Sequence, residues 1–319
     1  MFLCQGYLLV AVNNLLEPSI PSQASALSSI PKLGVGLLYN PALPEFLRTD
    51  LDCLDYVSII PDMFWVDRGA GQADRYAPLK SWIDLLDQVA AKRPIISHDI
   101  GLSIGSAAHM DDAYLDHIAR VYEQYHFPWH SDHLSFVQVS GPNGFDHNAG
   151  LAIPIPYDTD VLEMIARRVR KIRSTIPVPF LLENNVYYTE FREQDLTEPQ
   201  FLNGLTKLSG CGLLMDVHNL YTNARNHNFD AFAFLDQVDL ERVLEVHIAG
   251  GNEIAGMYTD SHAGPCPEPV WDLLEYVVSK AANLCGITFE FHASYYPLLK
   301  VKGIRAQLER ARSVWASVH

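Results

Sequence analysis

The sequence predicts a closed (β/α)8 barrel, and three observations predict it. Eight short apolar runs recur along the chain. Amphipathic stretches of helical period lie between them. The repeating part, 33–317, fills most of the 319 residues without an internal linker, a length that one barrel domain accommodates.

The runs are LGVGLLYN (33–40), YVSIIPD (56–62), PIISHD (94–99), SDHLSF (131–136), PFLLEN (179–184), CGLLMDVHN (211–219), VLEVHIAG (243–250) and GITFEFH (286–292). Most are apolar on both faces, as expected of parallel strands covered by helices. Between them, 160–173 (DVLEMIARRVRKIR) spaces Leu162, Ile165, Val169 and Ile172 along one helix face. Asp160 and Glu163 resemble a capping box there, although Asp158 or Thr159 would cap equally well. Stretches 111–126 and 268–284 read the same way, with Pro269 suited to a first helical turn. A last helix is expected over 300–317. Residues 137–158 and 250–268 read as long loops, which a barrel places on its catalytic face. The Ser-, Pro- and Ala-rich start, 1–30, reads as an N-terminal extension, ordered or not, before a single domain over 31–319.

Composition excludes several classes of function. The apolar fraction is 48%, enough for a large core. The net charge of −15 speaks against nucleic-acid partners and against attachment to anionic lipid. No run is long and apolar enough to span a membrane. Cys4, Cys53, Cys211, Cys266 and Cys285 are scattered and odd in number, so a reducing, cytoplasmic setting is expected. There is no dinucleotide or nucleotide-phosphate glycine motif and no GxSxG. GLSIGS (101–106) suits tight turns or an anion held by backbone N–H groups. Tyr187/Tyr188 and Tyr295/Tyr296 follow strand ends, where they pack the rim or touch substrate.

Polar residues concentrate at the strand ends. Asp62 closes the second run, His98 and Asp99 the third, and Asp132 and His133 open the fourth. Glu183, Asn184 and Asn185 close the fifth, and Asp216, His218 and Asn219 the sixth. His247 closes the seventh, whose loop adds Asp260 and His262, and the eighth carries Glu290 and His292. Taken singly, each has an ordinary structural explanation, such as a hydrogen-bonded histidine or a helix cap. Taken together, a closed barrel brings them to one rim. The i, i+2 pairs Asp216/His218 and Glu290/His292 are expected to share a strand face. Mixed imidazole and carboxylate donors suit Zn, Fe or Mn. So many donors call for at least two ions, bridged about 3.5–4 Å apart by carboxylates.

The chain resembles the DUF692 family, the multinuclear non-heme iron-dependent oxidative enzymes. The resemblance is carried by GVGLLYNP (34–41), SHDIGLSIGS (97–106), SDHLSF (131–136), PIPY (154–157), LLEN (181–184), CGLLMDVHNLYTNARNHNFD (211–230), HIAGG (247–251), DSHAGPCPEPVWDLL (260–274) and FEFH (289–292), in family order. It implies a xylose-isomerase-like TIM barrel with two or three irons at its C-terminal mouth. It implies dioxygen-dependent modification of a ribosomally made peptide at cysteine or another residue, often with a small leader-binding helper protein. The ligand positions it implies are Asp62, His98, Asp132, Glu183, Asp216, His247, Asp260, His262 and Glu290. Asp62, His133, Asn184, His218 and His292 are the implied residues at the reacting centre. The chain departs from the family pattern at His218, His292, Asp62, Asp132 and Asn40. A zinc- or manganese-dependent hydrolase or sugar isomerase on the same barrel is the alternative. The acidity speaks against DNA as substrate, and no Lys stands at a strand end for sugar isomerisation. A non-enzymatic, metal-containing binding protein is the second alternative.

Overall fold

The computed structural model describes residues 29–107, 110–140 and 146–318. The expected N-terminal extension lies almost entirely outside the described residues. Eight parallel strands close into a barrel in chain order. They are β1 (Gly34–Leu38), β2 (Tyr56–Ile59), β3 (Ile95–Asp99), β4 (His130–His133), β5 (Phe180–Glu183), β6 (Gly212–Asp216), β7 (Val243–Ile248) and β8 (Gly286–Phe289). Almost every strand residue is buried, because barrel contents cover one face and helices the other.

The surrounding helices are α1 (Pro44–Thr49), α2 (Lys80–Ala90), α3 (Asp112–Tyr125), α4 (Thr159–Thr175), α5 (Glu198–Ser209), α6 (Val217–His227), α7 (Ala231–Leu235), α8 (Glu268–Lys280) and α9 (Tyr296–Ala316). In α4 the expected apolar stripe Leu162, Ile165, Val169 and Ile172 is buried. Its N-cap is Asp158, without a side-chain cap bond, so the Asp160–Glu163 box does not form. A true capping box stands instead at Thr197 and Gln200, opening α5. Pro269 takes the first turn of α8, as its missing N–H allows.

Three readings change in the structure. The loop expected over 137–158 contains a hairpin, Ser135–Ser140 paired antiparallel with Asp146–Pro154. The 250–268 loop likewise carries a short hairpin, Asn252–Ile254 with Met257–Thr259. Strands β6 and β8 end at Asp216 and Phe289, earlier than expected. His218 therefore lies in α6 and His292 beyond β8, so strand alternation does not govern either pair.

The lower barrel interior is filled by Tyr56, Ile96, Trp129, Leu181, Leu214, Leu244 and Cys285, with Ile30 and Leu33 packed beneath. Gly36 and Gly286 make room for Tyr56: a Cβ at either would lie within 2.6 Å of its side chain. Among the described residues, no helix is long and apolar enough to cross a membrane.

Candidate metal centre at the barrel mouth

Polar side chains converge above the apolar floor, at the C-terminal ends of the strands. Three overlapping groups place their donor atoms within 4.8 Å of one another: His98, His247 and Glu290; His98, His133 and Glu183; and Glu183, Asp216 and His247. His98, Glu183 and His247 each belong to two groups, so six residues form one connected set. A shared donor suits adjacent ions better than isolated ones.

The orientation of each ring follows from its other contacts. The Nε2 of His247 lies 3.2 Å from Glu245 Oε1. Glu245 is fully buried, yet its carboxyl sits below the usual range. Burial alone would raise it, but His247, Thr288 and Trp129 outweigh burial. An ionised Glu245 accepts, so Nε2 carries a hydrogen and Nδ1 is the nitrogen left to face the mouth. That Nδ1 lies 2.9 Å from Glu290 Oε1. Neither atom has a hydrogen-bond partner, despite this closeness. Burial would lower the His247 imidazole, but Glu290 and Glu245 lift it well above its usual range; a cation bound at these two atoms would displace the added proton.

The same logic holds across the mouth. His98 engages Ser131 Oγ through Nδ1 at 2.9 Å and turns Nε2 toward Glu183 Oε2 at 3.1 Å. His133 donates from Nδ1 to the Asp99 carbonyl at 3.2 Å, leaving Nε2 3.5 Å from that same Glu183 oxygen. Glu183 Oε2 is itself without a hydrogen-bond partner, while Oε1 accepts from Asn219 Nδ2 at 3.2 Å. Asp216 caps α6 through Oδ1, which accepts from the Asn219 N–H at 2.7 Å, and its buried Oδ2 has no partner. Buried polar atoms without partners are rare and call for an explanation such as an ion. The donor set is imidazole and carboxylate, which fits Fe, Zn or Mn.

Charge is already crowded here. Burial, then Glu183, Asp260 and Glu290, pushes the Asp216 carboxyl well above the usual range. Burial would raise Glu290, but His247 and His262 hold it down at about 2. Burial would lower His133, yet Glu183 and Asp132 lift it to about 9. In the absence of a cation, histidine protons do the neutralising; metal binding displaces such protons.

A second tier flanks the six. Asp260 Oδ1 lies 3.0 Å from both His218 Nδ1 and His262 Nε2. His262 Nε2 reaches within 3.5 Å of Glu290 Oε2. His262 has φ +50°, a left-handed conformation that a non-glycine residue adopts under local constraint. The buried Nε2 of His218 has no partner.

Other expected residues stand apart from the three groups. Asp132 neighbours His133 on β4, with its Oδ1 3.8 Å from His133 Nδ1. It accepts from the Leu102 and His133 N–H groups, and burial lifts its carboxyl to about 7. Asn184 is spent on the Asp216 peptide, bonding both its C=O and its N–H. Asn40 likewise bonds the Phe291 carbonyl and the Ala42 N–H. Asp62 accepts from the Tyr114 hydroxyl at 2.6 Å. His292 is exposed and caps the turn Ala293–Tyr295 through Ser294.

Sequence reasoning missed the support beneath the centre. Trp129 Nε1 donates to Glu245 Oε2 at 2.7 Å, and Thr288 Oγ1 donates to Oε1 at 2.6 Å. Tyr56 and Thr288 are joined at 2.7 Å. Glu245 was findable: it is a charge in an apolar strand, two residues before His247 and so on its face.

Comparison with known proteins then decides the family. Residues 32–315 match the family model described as RiPP precursor modification enzyme MbnB/TglH/ChrH. The chain belongs to this family. It is therefore related to enzymes that modify ribosomally made peptide precursors. A UPF0276 protein of Caulobacter vibrioides is 30% identical over 285 residues, covering 89% of this chain and 95% of that one. Another UPF0276 protein, from Rhizorhabdus wittichii, is 31% identical over 248 residues, covering 77% and 83%. Among solved structures, a D-psicose 3-epimerase from Clostridium cellulolyticum aligns with TM-score 0.55 at 9% identity, covering 89% of this family member and 98% of the epimerase. Endonuclease IV from Thermus thermophilus aligns with TM-score 0.52 at 14% identity, covering 91% and 100%. At such identities these two establish the barrel alone.

Proposed function

We propose that this family member is an iron-dependent, dioxygen-using oxidase that modifies a ribosomally made peptide at cysteine. The observation that supports a multinuclear centre most is the set of buried, unpartnered atoms at the mouth: Glu183 Oε2, Asp216 Oδ2, His247 Nδ1 and Glu290 Oε1. Those residues, with His98 and His133, would hold two ions; Asp260 and His262 extend the set toward a third. Iron held there supplies one-electron chemistry toward dioxygen and a Lewis-acid anchor for a substrate thiolate.

The protein's own part is positioning. Glu245 fixes the His247 tautomer, and Asn184 clamps the peptide that carries Asp216. Asn219 bonds both Glu183 and Asp216 and so links the ends of β5 and β6. His218, Asp260 and His262 form a hydrogen-bonded edge able to hold or move a proton beside an entering peptide. Asp62 and His292 take places farther out, Asp62 through Tyr114 and His292 at the turn after β8. A small leader-binding helper protein belongs to this reading as partner. So does a reducing, cytoplasmic setting, which suits the free thiols Cys53, Cys211, Cys266 and Cys285.

The test is co-expression with short cysteine-containing peptides encoded beside the gene, followed by peptide mass analysis and an oxygen-uptake assay. The expected result is a mass change on the peptide, with oxygen consumed and ferrous iron required. Full activity with zinc and no oxygen uptake would contradict the proposal and favour a hydrolase or isomerase.

A further inference from the structure

One buried carboxyl stands outside the candidate metal centre and faces a cavity of its own. Glu198 opens α5 and is only 7% exposed, and its Oε1 has no hydrogen-bond partner. It lines a cavity of about 120 Å³ bounded by Pro154, Ile155, Tyr157, Tyr187, Phe191 and Leu196, among others. That volume exceeds what a single ordered water needs. Tyr157 and Tyr187 interact with the carboxyl through their hydroxyls.

The walls are preformed. The Tyr157 N–H donates to Gln194 Oε1 at 2.7 Å, and the Leu196 N–H donates to the Tyr157 carbonyl at 3.0 Å. The capping box at Thr197 and Gln200 fixes the start of α5, and with it Glu198. Both wall segments follow strand ends, β4 by way of its hairpin and β5 directly. The cavity therefore opens on the face of the barrel that bears the metal centre. A dipeptide joins the two: Tyr187 lines the cavity, while the Tyr188 hydroxyl accepts from the Asp260 N–H at 2.9 Å.

The charge of the lining selects the occupant. Among the described residues no Lys or Arg lines it, whereas Glu198 and Glu190 both do. The rings of Tyr157, Tyr187 and Phe191 offer faces that attract cations. We propose that this cavity is a specificity pocket for a Lys or Arg side chain of the peptide substrate, seated with its charged end on Glu198. This rests on the reading of the mouth as a peptide-modifying centre. The aromatic walls take the aliphatic stem, and the carboxyl accepts charge-assisted hydrogen bonds. Burial lifts the empty Glu198 carboxyl to about 8, so an arriving cation exchanges with its proton.

The test needs neither metal nor turnover, so its failure is distinguishable from failure of the proposed chemistry. Nα-acetyl-lysine methylamide and Nα-acetyl-arginine methylamide are titrated against the full chain by ligand-observed NMR. Nα-acetyl-norleucine methylamide serves as the neutral control. The expected result is saturable binding of a cationic probe, weakened at least about tenfold by Glu198→Gln, with the control weak in both proteins. Phe191→Ala, at a position 43% exposed and so tolerant of truncation, is expected to weaken the cationic probes severalfold. Equal binding of the norleucine probe, or cationic binding indifferent to both variants, would overturn the proposal.

Discussion

Two depths of one barrel treat buried charge in opposite ways. In the floor, Glu245 is fully enclosed and each of its oxygens is engaged, by Trp129 on one side and by Thr288 and His247 on the other. At the mouth, Glu183, Asp216, His247 and Glu290 are equally buried, yet each leaves an atom without a hydrogen-bond partner. Both depths bury carboxylates, but only Glu245 has both of its oxygens engaged. A buried polar atom left open is destabilising unless something outside the chain completes it. On the proposed function, the contrast separates groups that hold the scaffold from groups that would hold an ion.

Breaking the mouth is expected to give the largest effect. Asp216→Asn keeps the oxygen that caps α6 and removes one ligand charge. Burial and the neighbouring carboxylates already favour the neutral acid, so the metal-free variant should melt within about 2 °C of the parent. Metal analysis should show at least one ion lost, and turnover should fall by about 100-fold or more. Breaking the floor should instead show in both properties. Glu245→Gln removes an ionised acceptor from three donors. Denaturation of the metal-free protein should reveal a loss of about 3 kcal/mol. Metal affinity should fall by about 10- to 100-fold, because the His247 tautomer is no longer enforced.

Glu198 extends the comparison to a carboxyl that is open but far from the ligand groups. Its pKa of about 8 lies above the ordinary 4.5. The folded state thus keeps a proton that the unfolded chain releases between those values. The stability linked to this group is full below the unfolded pKa and is lost as pH rises toward 8. Glu198→Gln should remove that slope. The variant should gain on the parent by about 4 kcal/mol at most between pH 4.5 and 8.5, measured by chemical denaturation at each pH. The smallest effect is expected at His292, whose cap on the exposed turn after β8 is local. His292→Ala should lower stability by about 1 kcal/mol or less and leave the metal content unchanged.

The barrel was legible because parallel strands buried on both faces write themselves as apolar runs. Each run begins within a residue or so of an observed strand. The strand-end histidines and acids were legible for a related reason, since a charge in such a run has few structural uses. The limits came from strand ends. Asp216 already caps a helix, so the alternation expected to carry His218 had stopped two residues earlier. Adjacent Asp132 and His133 looked alike in sequence, but one faces the mouth and the other the Leu102 backbone. The hairpin over 135–154 was hidden by its polar, Gly- and Pro-containing segment, which carries turn signals without an apolar alternation. Glu198 was hidden for the opposite reason. Nothing in TEPQ (197–200) marks its acid as buried, and only the packing of Tyr157 and Tyr187 encloses it.

The central claim is that the open atoms at the mouth are ligands of a multinuclear centre. Element analysis of the protein purified without oxygen, beside Asp216→Asn prepared identically, tests it most directly. The account predicts at least two metal ions per chain, iron among them, and fewer in the variant. A parent protein that carries and accepts no metal, or a content indifferent to Asp216→Asn, would contradict it.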